Sequence, residues 1–116
     1  MKHNQRIGKW GEDTAAEYLT QRGYEIVARN IRTPYGEIDI IAKQCDITIF
    51  VEVKARTSNK MGLPEESITP RKREHMLAAA AHYSAGHEID HWQIDVIAIE
   101  GKLGATPKIT YFENAL

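Results

Sequence analysis

Asp39 and the triplet Glu52-Val53-Lys54 place two carboxylates and one ammonium on neighbouring runs of β-branched residues. That combination can do chemistry if the side chains converge. The runs are Glu37-Ile38-Asp39-Ile40-Ile41-Ala42 and Ile47-Thr48-Ile49-Phe50-Val51-Glu52-Val53-Lys54-Ala55. Only Lys43-Gln44-Cys45-Asp46 separates them, so an antiparallel hairpin is expected. Side chains alternate along a strand. Ile49, Val51, Val53 and Ala55 therefore share one uniformly apolar face that must point into a core, while Phe50, Glu52, Lys54 and Arg56 share the other. By the same rule Glu37, Asp39 and Ile41 lie on one face. Pairing Asp39 with Phe50 or with Glu52 brings both carboxylates together, and turns at Gln44-Cys45 or Cys45-Asp46 both give that arrangement. A slip of one residue separates them.

Two carboxylates ~5 Å apart repel by about 3 kcal/mol at an effective dielectric of 20. Lys54 relieves part of this, and a hard divalent cation relieves more. An oxygen donor set favours Mg²⁺ or Mn²⁺ over zinc. Magnesium keeps several waters and so leaves room for a phosphate. An ammonium beside it orients an attacking water, and gives up a proton if its pKa is lowered. The plain alternative is a Glu/Lys/Arg ladder on a solvated sheet face. Against it stand the Asp on the adjacent strand, the apolar opposite face, and Glu12 on a helix that comes before both.

The elements that must position these groups follow from pattern and punctuation. A first helix is expected from near Gln5 to Arg22, with Gly23 as its left-handed C-cap. Glu12, Ala15, Ala16 and Leu19 form one stripe facing the core, headed by the carboxylate. Gly8 and Gly11 weaken the helix locally and permit close approach of another backbone. Tyr24 to Ala28 reads as a first strand and Arg29 to Gly36 as a polar connection. Arg56 to Pro64 reads as a loop. Thr69-Pro70 starts a second helix, with Thr as N-cap and Pro at the first helical position, and Gly86 can stop it. Trp92 to Ile99 is a further strand, and Lys108 to Phe112 a short edge strand. The expectation is one α/β domain spanning 1–116: a central mixed sheet of four to five strands flanked by helices on both sides.

The ordered set of motifs resembles the PD-(D/E)xK nuclease superfamily: a helix glutamate, an Asp at a strand end, then (Asp/Glu)-x-Lys on the next strand. Glu12, Asp39 and Glu52-Val53-Lys54 occupy those positions. The spacing of Gly8, Glu12 and Gly23 is similar to that in archaeal Holliday junction resolvases. Gly36-Glu37-Ile38-Asp39, Phe50 to Arg56, Pro64-Glu65-Glu66, Trp92 to Val96 and Glu113-Asn114-Ala115-Leu116 resemble the small bacterial YraN-type, endonuclease-like family over nearly the whole chain. Ile38 stands where the superfamily pattern has proline, and the following helix lacks the glutamine of several resolvase-like nucleases. The resemblance implies that Asp39, Glu52 and the Val53 carbonyl hold Mg²⁺ (or Mn²⁺), with Glu12 in support. It also implies metal-dependent cleavage of branched, flapped or single-stranded DNA.

Arg71, Lys72 and Arg73 fall in the first turn of the second helix, where positive charge opposes the macrodipole unless a phosphate partner is present. Arg56 and Lys60 can extend the same track, with Arg29 and Arg32 as outlying members. Asp95 interrupts an apolar strand and reads first as a structural hydrogen-bonding group, second as a further acidic partner. Glu37 can exchange roles with Asp39 if the register differs. Trp10 reads as an anchor for the first helix, and Cys45 as a surface thiol in a turn.

The formal net charge of −1 excludes a general polycation, so any grip on nucleic acid is local. With one cysteine there is no intramolecular disulfide and no cysteine cluster for zinc. No apolar run is long enough to span a membrane, and the first residues are polar, which points to a cytoplasmic location. Three functions compete: a metal-dependent DNA endonuclease, a nucleic-acid-binding module whose site is inactive or needs a helper protein, and a scaffold whose ion pairs only stabilise a sheet. A homodimer is compatible with the first.

Overall fold

The computed structural model describes residues 3–57, 68–102 and 104–116. Its elements run α1 (His3–Gln21), β1 (Glu25–Thr33), β2 (Gly36–Gln44), β3 (Ile47–Arg56), α2 (Pro70–Gly86), β4 (Trp92–Glu100) and β5 (Lys108–Phe112). The strands form one five-stranded sheet in chain order. β1–β2, β2–β3 and β4–β5 pair antiparallel, and β3–β4 pair parallel. A parallel pair needs a crossover, and α2 supplies it. The sheet is therefore mixed and covered on both sides, in the expected α/β class.

Each helix covers one face. Ala15 and Leu19 of α1 pack with Ile40, Ala42, Ile49, Val51, Ile97 and Ile99. On the other side Ala79 and Ala80 of α2 pack with Ile38, Ile41, Phe50 and Ile94. The interior strand β4 is buried from Ile94 to Ile99, as a strand covered on both faces must be. α1 stops where Gly23 turns left-handed at φ +89°. Tyr24 N–H donates to the Leu19 carbonyl and Gly23 N–H to that of Thr20. This is a Schellman end, and its flanking residues Leu19 and Tyr24 meet in the same core.

Gly11 explains how α1 can lie so close to the sheet. A Cβ at that position would stand 2.5 Å from the Cβ of Ala55 on β3, so only glycine fits. Gly8 faces open space, so the close-approach reading holds for Gly11 and not for Gly8. Trp10 packs against the α1-side core, as expected of an anchor.

Two expectations are corrected. Arg29 to Thr33 is strand, not connection: β1 continues to Thr33, and the turn is only Pro34-Tyr35. The polar residues alternate with Ile31, which joins the α2-side core, so a half-buried edge strand accommodates them. Thr33 Oγ1 closes the turn, donating to the Gly36 carbonyl at 2.7 Å and accepting from Tyr35 N–H at 3.1 Å. Strict alternation also fails in β2. Ile38 and Ile41 both reach the α2-side core, while Ile40 and Ala42 reach the α1-side core. Glu37, Asp39 and Ile41 therefore do not form one regular face. The break falls at Asp39, and across from it in the register Asn30 is left-handed, at φ 54°.

Candidate metal centre

The two-residue turn Cys45-Asp46 sets the β2–β3 register, with Gln44 opposite Ile47 and Ile40 opposite Val51. Continued by one step, this register brings Asp39 alongside Glu52. The main-chain ladder ends before that step. The Val53 N–H, which must find an acceptor, donates to Asp39 Oδ2 at 2.9 Å. An aspartate side chain thus stands in for a strand carbonyl where β2 parts from β3. β3 itself stays rigid there, because its parallel pairing with β4 runs unbroken from Thr48 to Arg56.

Side chains of α1 and β2 meet at this gap. Glu12 of α1, Glu37 and Asp39 of β2 each offer a carboxylate oxygen, and the three oxygens lie within 4.8 Å of one another. Glu52 neighbours Asp39 but is held from the other side. Lys72 Nζ of α2 lies 2.8 Å from Glu52 Oε1 and Lys54 Nζ lies 3.5 Å from the same oxygen. Glu12 is approached by Arg29 at 3.6 Å and Glu37 by Arg32 at 4.0 Å.

Electrostatics follow from this crowding. Burial, then the negative charge of Glu52, pushes the Asp39 carboxyl up to about 7, against the stabilising Val53 N–H; Glu12 pushes it further. Burial and the adjacent Lys72 lower the Lys54 ammonium below its ordinary value, and Glu52 opposes them. Lys72 is also disfavoured by burial, but its hydrogen bonds with Glu52 and Lys54 outweigh this and its pKa is raised. The surroundings of Asp39 are thus short of positive charge, whereas those of Glu52 are not.

Lys72 reaches the site because Thr69 caps α2, accepting the Lys72 N–H at 3.1 Å, with Pro70 at the start of the helix. The first turn of α2 then overhangs a cavity of about 470 Å³ in front of Glu37, Asp39 and Glu52. Arg71 and His75 line it as well. Arg73 points elsewhere, to a second cavity beside Phe112 and Leu116. Arg56 ends β3 opposite Glu100. Lys60 lies outside the described residues. Arg29 is drawn into pairs with Glu12 and with Asp13 at 2.8 Å, which removes it from the expected phosphate track.

Asp95 has the structural role. It is fully buried and accepts from Gln93 Nε2 at 2.9 Å, from Asn114 N–H at 2.7 Å and from the Tyr111 hydroxyl. These bonds pin the C-terminal residues to β4, helped by the Ala115 N–H on the Ile94 carbonyl. Cys45 is exposed in its turn.

Two contributors to the site carry only weak signals in the sequence. Glu37 joins Asp39 and Glu12 because alternation breaks at Asp39, and Asn30, a residue type tolerant of the left-handed region, was the available sign. Lys72 was expected at a helix start facing phosphate, but its docking on Glu52 depends on how α2 lies over the sheet.

The oxygen cluster fits a hard divalent ion. In an octahedron with 2.0–2.1 Å bonds, ligand oxygens stand about 3 Å apart when adjacent and about 4 Å when opposite. The observed cluster needs only a modest contraction to reach those separations, and its all-carboxylate donor set is of the kind magnesium and manganese take.

A model of the family described as Uncharacterised protein family UPF0102 matches residues 11–99. A UPF0102 protein of Dehalococcoides mccartyi is 38% identical over 119 residues, covering 100% of this chain and 98% of that one. One of Syntrophomonas wolfei is 41% identical over 114 residues, covering 97% and 98%. One of Roseiflexus castenholzii is 44% identical over 103 residues, covering 86% and 83%.

Proposed function

The chain belongs to the UPF0102 family, and from that premise and the geometry of its site we propose that it is a divalent-metal-dependent endonuclease acting on DNA phosphodiesters. The observation that carries this is the meeting of Glu12, Glu37 and Asp39, beside Glu52 and two lysines, with Glu37, Asp39, Glu52 and Lys72 lining a cavity large enough for a nucleotide. Asp39, which has the least compensated charge, is the principal ligand. Glu12 and Glu37 complete the protein's donor set, and Glu52 stands beside Asp39. A bound Mg²⁺ or Mn²⁺ supplies Lewis-acid stabilisation of charge on the phosphate oxygens.

The chain's own groups do the rest. The Val53 N–H fixes the Asp39 carboxylate. Lys54, half-buried and with its pKa lowered by burial and Lys72, orients the attacking water and can move a proton to or from it. Lys72 and Arg71, on the first turn of α2, offer cations to the phosphate, and the helix N-terminus adds its own positive pole.

The second reading, a module that binds DNA without cutting it, is favoured by one observation. Glu52 is held by Lys54 and Lys72 and is not among the three mutually close carboxylates.

A nuclease assay with Mg²⁺ or Mn²⁺ on branched, flapped and single-stranded DNA separates the two. The nuclease gives metal-dependent products, and Lys54→Ala lowers the rate by at least about 100-fold with DNA affinity nearly unchanged. Salt-sensitive binding without products under any metal selects the binding module.

A further inference from the structure

The cavity beside the acidic cluster has a floor that phosphodiester chemistry does not require. Ile38, Phe50, Met76, Ala79 and Ile94 line it together with the charged groups. A phosphate backbone gains nothing from such a surface, whereas a nucleobase does, through its apolar faces. At the rim stands Tyr35, about half exposed although it is a large aromatic residue. Its position is set by local contacts. It occupies the two-residue turn between β1 and β2, and its N–H is tied to Thr33 Oγ1 at 3.1 Å. Its ring also meets His82 of α2 edge to face, with centroids 5.9 Å apart. Arg71 and Lys72, the latter paired with Glu52, line the same cavity from the start of α2.

We propose that this cavity seats one unpaired nucleotide of a DNA strand, with its base against Tyr35 and the apolar floor and its phosphate towards Lys72, Arg71 and the acidic cluster. The inference rests on the nuclease reading above and adds the substrate class: DNA with an unpaired residue at the cleavage point, as in a flap, a gap or a single strand, and not a fully paired duplex. Charge and shape agree. The cationic rim matches one phosphate, and the floor is apolar where a base contributes no charge. A paired base stays within its stack and cannot reach the floor unless it is first flipped out, which costs stacking and pairing energy.

The test is DNA binding by fluorescence anisotropy in EDTA, so that neither cleavage nor metal loading enters the readout. The probes are a short single-stranded deoxyoligonucleotide, the same strand in a blunt duplex, and the same strand with one abasic position. The inference predicts preference for the single strand over the duplex. Tyr35→Ala weakens single-strand binding by about 5- to 100-fold, the loss expected for one stacked base. Tyr35→Phe retains it, and duplex binding is unchanged in both variants. An abasic site placed at the seated position matches the loss caused by Tyr35→Ala. Tyr35 lies on an exposed turn, and unchanged thermal melting of the variants confirms that they fold. Equal affinity for duplex and single strand, insensitivity to Tyr35→Ala, or no binding to either probe overturns the inference. The nuclease reading fails on a different result, the absence of metal-dependent products, so the two can fail separately.

Discussion

Asp39 does two things at once. It replaces a main-chain acceptor for Val53, and it concentrates negative charge among Glu12, Glu37 and Glu52. Its pH consequence follows directly. The carboxyl is raised to about 7 in the folded protein against 3.8 unfolded, so the folded state holds the proton more tightly. Stability of the metal-free protein should therefore fall as pH rises from about 4 to about 7 and level off above, by up to about 4 kcal/mol from this group. Asp39→Asn should remove most of that fall, making the variant the more stable protein at pH 8. Urea unfolding of both proteins at pH 4.5 and pH 8 checks this; a wild type that gains stability over the window relative to the variant contradicts it. The candidate residues Asp39, Glu52 and Lys54 were legible because their types are unusual on β-branched runs and the hairpin register has few options. Glu37 and Lys72 were legible only as secondary choices. One depends on a local break in alternation, the other on the docking of a helix remote in sequence.

At the scale of elements, the site is made by a contact and a gap. α1 reaches β3 through Gly11, which brings Glu12 to the sheet, and β2 parts from β3 at Asp39, which opens the space between them. The two glycines of α1 should then respond oppositely to alanine. Gly11→Ala must push Ala55 or the whole helix away and should cost about 1–3 kcal/mol. Gly8→Ala meets nothing and should stabilise by up to about 1 kcal/mol through helix propensity. Denaturant melts of the two variants decide, and equal effects would remove the close helix–sheet contact from the account. Propensity could mark both positions as weak points in the helix, but only packing distinguishes them. The same limit applies to β1: polar Arg29 to Thr33 reads as a loop from composition, yet edge pairing with β2 makes it strand.

For the molecule as a whole, the order of elements was the most readable feature. β-branched runs, the Thr69-Pro70 helix start and the strand–helix–strand succession imply a mixed sheet with a parallel pair, and the fold has both. Among the described residues no helix is long and apolar enough to cross a membrane. With a net charge of −1, the chain has no general attraction for DNA, so the proposed DNA binding has to rest on local groups such as Arg71, Lys72 and the apolar lining of one cavity. The proposed function requires that cavity's acidic edge to take up a divalent ion. Calorimetric titration of the purified protein with Mn²⁺ at pH 8 tests this most directly, in wild type and in Asp39→Asn, whose side chain keeps the shape but loses the charge. The account predicts saturable binding by the wild type, weakened at least about 10-fold in the variant while its fold is retained. No heat of binding in the wild type at millimolar Mn²⁺, or equal binding by both proteins, contradicts it.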